Sequence, residues 1–152
     1  MTAPVRGRGF TLIELVIVIC IAGLTIPVLM TGFATVATQT VKSESLADAA
    51  LYSSQMLDEI TTKQFVDPDD QNNTALGPNT GETYPDFDDV DDYNGYVRTN
   101  GQYTTSVSVT YAALNNGVWQ ASGSPTDYKM VTVTTKNTRI GLSSSMTAIV
   151  AD

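Results

Sequence analysis

The chain has 152 residues, 42% of them hydrophobic and 16% charged, with eight lysines and arginines against sixteen aspartates and glutamates, one cysteine and no histidine. That length makes one modest domain rather than two, and a formal charge of -8 opposes phosphate backbones, so no nucleic-acid partner is expected. Lacking histidine and a second cysteine, the chain forms neither a zinc site of the usual ligands, nor a histidine-assisted nucleophile, nor an internal disulfide.

Residues 15–41 contain no Asp, Glu, Lys or Arg, and LVIVICIAGLTIPVLMTGF is almost continuously apolar, long enough to cross a bilayer as a helix. Arg6 and Arg8 are the only cations before Lys42 and mark the cytoplasmic side. The remainder then faces outward, which places the nine carboxylates of residues 67–92 in a solvent-facing region outside the cytoplasm. A secretory signal peptide has an apolar core of about 7–15 residues and small residues at its cut. Thr35 and Ala37 supply the small residues, but this core is too long. A plain single-span anchor fits the length, yet leaves Glu14 unexplained between Ile13 and Leu15. An acid at the centre of a membrane helix costs about 3 kcal/mol, less towards the edge, and calls for a cation or a role.

The segment GFTLIELVIVICIAG, with Gly9, then Phe10, then Glu14 opening a long apolar helix, resembles the class III leader of type IV pilins and pseudopilins. The resemblance implies that residues 1–9 are a leader cut after Gly9 by a prepilin peptidase, that the new N-terminus at Phe10 is N-methylated, and that Glu14 acts in filament assembly. It also implies other pilin or pseudopilin subunits, an inner-membrane assembly platform and membrane lipid as partners. The expected location is the bacterial inner membrane with a cytoplasmic N-terminus, followed by an extracellular pilus or a periplasmic pseudopilus. The cut would create an ammonium on Phe10, and a Glu14 carboxylate pairing with that ammonium on an adjacent subunit would cancel two burial costs at once. Removing the leader takes away two arginines and leaves six cations against sixteen carboxylates, a side-chain charge of -10. Subunits tolerate this if the charged parts stand apart, because exposed charges more than about 10 Å apart are largely screened at 0.1 M salt.

The helical pattern continues past the span: Leu46, Ala50, Met56, Leu57 and Ile60 recur at helical spacings, with Lys42, Glu44, Asp48 and Glu59 on other faces. One helix reaching about Gln64 is predicted, divided into a transmembrane or filament-core part over residues 10–38 and an amphipathic continuation over 39–66. Gly23, Pro27 and Gly32 are points where it would bend or locally unwind. Cys20 reads as a small buried hydrophobe in this helix.

Residues 67–152 form the head, with an acidic loop over 67–100 and a sheet over 101–152. Turn formers crowd the loop. Asp86, Asp88, Asp89, Asp91 and Asp92 place five carboxylates within seven residues, a density of hard oxygen ligands that suits calcium, against the simpler reading of a solvated acidic loop. An EF-hand is ruled out, because taking Gly95 as its glycine puts Val90 at the first ligand position. Interleaved Phe87, Val90, Tyr93 and Tyr96 predict that part of the loop packs. The stretch FDDVDDYNGY also resembles a segment of MSHA-type minor pilins, notably the minor pilin D group.

In the last third, TTSVSVTYAAL and YKMVTVTTK alternate as strands, the second with Met130 in the series, and a third strand follows near residues 146–150. Asn116 and Gly117 favour a tight hairpin, Trp119 is expected to pack on the sheet, and residues 137–141 form another turn with Arg139 exposed or paired. The fold class is therefore α+β: a long N-terminal helix, membrane-spanning in its first half, packed on a small antiparallel sheet. The pilin resemblance implies the same architecture; many pilins add a C-terminal disulfide that this chain cannot make, and a calcium ion is one substitute.

Three classes of function follow. A non-catalytic structural subunit of a type IV pilus or a secretion-type pseudopilus, minor rather than major, agrees with the leader. A single-span anchored adhesin or ligand-binding module, with the acidic loop or Trp119 making the contact, would need no cut after Gly9. An anchored hydrolase would need two carboxylates set across a pocket, and no spacing here marks such a pair.

Overall fold

A computed structural model of the chain describes residues 9–68 and 73–152; Arg6, Arg8 and most of the expected leader lie outside them. The chain divides after Val41 into two compact units.

Helix α1 runs from Leu12 to Thr61. Pro27 lacks the N–H that Gly23 would otherwise accept, but the helix continues unbroken through Gly23, Pro27 and Gly32 rather than unwinding there. In the first unit the apolar side chains are exposed on every face, Leu12 at 82%, Leu24 at 75% and Phe33 at 71%. The threonines interspersed among them return their hydroxyls to the helix: Thr25 donates to Ile21 O at 2.9 Å, Thr35 to Thr31 O at 2.9 Å and Thr40 to Val36 O at 3.0 Å. The polar atoms are thereby satisfied internally, as a lipid environment demands. Cys20 is exposed on the isolated chain, so its expected burial is not supplied by this fold.

In the second unit, α1 packs on the sheet through Ser45, Ala49, Ser53, Met56 and Ile60. Met56 and Ile60 are buried as predicted, but the rest of the predicted stripe is corrected: Leu46 is 45% exposed and Ala50 and Leu57 are only half-buried. The sheet face opposite Ser45 and Ser53 is polar, which explains the shift. Ser53 Oγ donates to Thr135 Oγ1 at 2.9 Å, Asn137 Nδ2 donates to Ser45 Oγ at 2.8 Å, and Tyr103 OH donates to Asp48 Oδ2 at 2.9 Å. Small hydroxylated residues fit such a face, whereas leucine would leave its groups unpaired. The helix ends three residues before the predicted Gln64, where the hydroxyls of Thr61 and Thr62 donate to Asp58 O and Glu59 O at 3.1 and 2.7 Å. Gln64 has left to bridge Asp89 in parallel.

The strands are β1 (Val97–Asn100), β2 (Tyr103–Asn115), β3 (Val118–Ala121), β4 (Tyr128–Asn137) and β5 (Ser143–Ala151), all antiparallel, in the order β1-β2-β4-β5 with β3 pairing the end of β2. The molecule is thus a long helix packed on a five-stranded antiparallel sheet, an α+β arrangement. β1 occupies the end of the stretch predicted as loop. Asn116 and Gly117, at φ 52° and 79°, make the two-residue turn that matches strand twist. In β4 the buried series is Lys129, Val131, Val133, Thr135 and Asn137, and Met130 lies on the other face. The core joins Met56 and Ile60 of α1 to Val107, Val109, Val131 and Val133 of the sheet, closed over by Phe87, Val90 and Tyr93 of the loop. Trp119 is half-buried against Tyr128, ring centroids 4.8 Å apart.

Candidate functional site

The residues singled out in the sequence fall into two places. At the start of α1, Gly9, Phe10, Thr11 and Glu14 line one hollow. Thr11 caps the helix: the Glu14 N–H donates to Thr11 Oγ1 at 3.4 Å and the Thr11 N–H donates to Glu14 Oε2 at 3.5 Å, the reciprocal arrangement of a capping box. The signature Thr-x-x-Glu was present in the sequence and gives Glu14 a second reason to be there. Its carboxylate also sits at the positive end of the helix dipole, on the side of the chain where Phe10 carries its nitrogen. The Glu14 side chain therefore already has a partner within its own chain.

The second place is the acidic loop. Its carboxylates are not uniformly solvent-facing, as expected above: Asp67, Asp89, Asp91 and Asp92 are 6%, 2%, 7% and 2% exposed. A turn-rich segment forms no ladder, so its N–H groups need other acceptors, and the aspartates provide them. Asp89 Oδ1 accepts from the Asp91 N–H at 2.6 Å and the Asp92 N–H at 3.2 Å, while Asp92 Oδ2 accepts from Asp88 and Asp89 at 3.0 and 3.3 Å. Asp91 to Tyr93 form a single 3₁₀ turn. The packing aromatics behave as predicted, with Phe87 and Tyr93 edge to face at 5.0 Å and Tyr96 against both. Backbone bonds then fix the loop to its surroundings, Val90 N–H donating to Gln64 O at 2.9 Å and Val107 N–H to Tyr96 O at 2.9 Å.

Among the described residues, carboxylate oxygens converge within 4.8 Å in two groups, Asp67 with Asp88 and Asp89, and Glu82 with Asp88 and Asp92. Of the five expected calcium ligands, the structure places Asp88 in both groups, Asp89 in the first and Asp92 in the second. It adds Asp67 and Glu82 and leaves out Asp86, which is exposed, and Asp91. Asp91 is instead paired with Lys129, whose ammonium also donates to the Phe65 carbonyl and lies 4.5 Å from the Phe65 ring centroid. Lys129 is 3% exposed and was missed in the sequence, although it keeps inward phase with Val131 and Val133 along β4.

Burial, followed by the charges of Asp91 and Asp92, pushes the Asp89 carboxyl up to about 7 from 3.8. The folded chain then holds a proton that the unfolded chain releases, so this contribution to stability is complete below about pH 4 and is lost as pH rises to about 7. Melting temperature is expected to rise on acidifying from pH 8 to pH 5, and Asp89→Asn, which keeps the oxygen acceptor for both amides, should be more stable than the parent at pH 8 with a flatter profile. Parallel profiles for the two proteins would refute the assignment.

Comparison with protein families, with curated proteins and with solved structures found no match to this chain.

Proposed function

We propose that the chain is a structural subunit of a type IV pilus or a secretion-type pseudopilus, a minor one, assembled from the inner membrane after cleavage behind Gly9 and methylation of Phe10. One observation carries the reading: just after Gly9 and Phe10 begins a helix whose first half is apolar and exposed on all sides. A helix apolar all round is stable only where lipid or other helices surround it. It is thus a candidate membrane anchor, and a stack of identical helices would serve it equally after extraction from lipid. Glu14 is the one acidic residue in its first turn, and pairing with a neighbour's Phe10 ammonium would set the axial step between subunits. No catalysis is assigned; the chain works by polymerising.

Co-expression with a prepilin peptidase followed by intact-mass measurement tests this. A product starting at methylated Phe10 is expected. An uncut chain, dispersed as single anchored molecules in cells with working pilus machinery, would overturn it in favour of an anchored binding module. Calcium belongs to the proposal as an aid to the head: the two carboxylate groups sharing Asp88 match its oxygen preference, and binding to the folded state alone would raise the melting temperature. Coincident melts of the detergent-solubilised chain in calcium and in chelator would remove it.

A further inference from the structure

The two edges of the head sheet are built differently. On one side β1 has only four residues, and beyond it residues 94–96 run along β2, the Gly95 N–H donating to Val107 O at 3.1 Å and the Val109 N–H to Asn94 Oδ1 at 3.0 Å. On the other side β5 runs for nine residues, SSSMTAIVA, without a charge, a proline, a glycine or a break in register. Sheets ordinarily blunt such an edge with a charge, a proline or a bulge, and an edge left plain is a place for another strand.

The ladder fixes which backbone groups are free. Along an antiparallel pair, residues alternate between exchanging both bonds with the partner strand and turning both groups away from it. The Asn137 N–H donates to Leu142 O at 2.8 Å and the Val107 N–H to Tyr96 O at 2.9 Å. With the β4–β5 and β1–β2 registers, this directs outward the amides and carbonyls of Ser143, Ser145, Thr147, Ile149 and Ala151 on one edge, and of Val97 and Thr99 on the other. Both sets carry their side chains on the face away from α1, because the buried series opposite them are Lys129 to Asn137 in β4 and Tyr103 and Thr105 in β2. A β5 edge and a β1 edge can therefore pair antiparallel and leave the helices of both copies on one face.

Strand direction and charge choose the same occupant. The path β1-β2-β4-β5 alternates in direction, so a copy displaced sideways without rotation presents its β1 antiparallel to β5. Pairing β5 with β5 instead requires a two-fold axis normal to the sheet, which sets the head helices antiparallel and their Lys42 ends, where the candidate anchors join, far apart. Residues 128–151 carry Lys129, Lys136 and Arg139 and no carboxylate, whereas residues 82–100 carry six carboxylates against Arg98. Lys136 and Arg139 are exposed at the start of β5. On the β1 side, Glu59 lines the hollow that holds Arg98, and Glu82 and Asp92 line the one that holds Val97. Head to tail, a cationic border meets an acidic one; β5 on β5 would set like charges together.

We infer that the open β5 edge receives the β1 edge of a second copy of this chain, with Val97 opposite Ser145 and Thr99 opposite Ser143. Val97 is level with Ser106, Thr134 and Ser145 across the sheet, so this register keeps the two heads level, as anchors in one membrane require. It also sets the half-buried Tyr96 opposite the half-buried Met146, a favourable ring–sulfur contact. Val97 and Thr99 supply only four backbone groups, well short of the roughly 1,200 Å² of a stable interface, so the pairing depends on anchors that hold copies at high local concentration. The inference uses the candidate anchor and not the cut after Gly9.

The test is disulfide trapping of the full chain, carrying Cys20→Ala, in isolated bacterial membranes treated with diamide. Thr99 and Ser143 are both exposed, and as a hydrogen-bonded pair their Cα atoms would stand about 5.5 Å apart, within disulfide reach. Thr99→Cys with Ser143→Cys in one chain is expected to give dimers, trimers and larger species on non-reducing electrophoresis. The two single variants produced together should give dimers only, and each alone almost none. Val97→Cys with Ser145→Cys is the substitute pair if the first lowers the melting temperature. Lys136→Glu with Arg139→Glu should cut the yield about tenfold, and about 0.5 M salt should weaken it likewise. No ladder from either double variant, self-linking by Thr147→Cys, which reports β5 on β5, or a yield unmoved by the charge reversal would each overturn the inference. A ladder formed by uncut chain in cells with working pilus machinery would sink the filament reading and leave this one standing.

Discussion

Lys129→Ala is expected to be the most damaging single change in the head, costing about 3–5 kcal/mol, on the order of 10–20 °C in melting temperature. Both partners of the ion pair are nearly inaccessible, the side chains at 4% and 10%, so truncating the lysine strands the Asp91 carboxylate in a poorly hydrated site that already holds Asp89 and Asp92. It also strips the Phe65 carbonyl of a donor, and an orphaned buried acceptor adds its own penalty. The double replacement Lys129→Met with Asp91→Leu separates the two contributions. With no charge left unpaired it should recover most of the loss, falling short by roughly the cost of the unpaired Phe65 carbonyl. Denaturation of the three proteins at one pH and salt measures this. A single variant within about 1 kcal/mol of the parent would mean that water reaches the pair.

Glu14→Ala is expected to leave membrane insertion intact and to reduce filament incorporation to background. Removing a carboxylate from an apolar helix makes insertion easier, so membrane fractionation should not change. Incorporation should fail for two separable reasons: the neighbour's ammonium loses its counter-charge, and α1 loses half of its capping box. Glu14→Gln distinguishes them, because glutamine keeps the box without the charge. If Gln restores incorporation, the cap is what matters; if it behaves like Ala, the charge is. Normal incorporation of Glu14→Ala would end the pairing mechanism. Thr11→Ala, which removes the other half of the cap, is the matching control and should cost about 1 kcal/mol of helix stability.

The elements legible in the sequence are those whose determinants are local. The apolar span, the strand alternation in β2, the Asn116–Gly117 turn and the aromatic packing of the acidic loop each follow from neighbours within a few residues. The failures are equally instructive. Met56 and Ile60 sit in the core as their spacing predicts, whereas Ser45 and Ala49 are buried in place of Leu46 and Ala50, because the phase there is set by Thr135, Asn137 and Tyr103, polar groups on strands far away in sequence. The carboxylates were placed in solvent because charge was weighed without the amide groups that the turns leave seeking acceptors. Asp91 reads as one more aspartate of the loop because nothing near it announces Lys129, which comes 38 residues later. The Thr-x-x-Glu cap is local too, since both its members lie within one turn.

The clasp around Lys129 has a mechanical consequence. The polypeptide leaving α1 at Thr61 is joined within a few residues to the loop, through the Gln64 amide and carbonyl, and to the start of the interior strand β4, through the Phe65 carbonyl. Tension drawn along the end of the helix would therefore enter β4 as shear shared among several parallel bonds, which must rupture together, rather than peeling an edge strand one bond at a time.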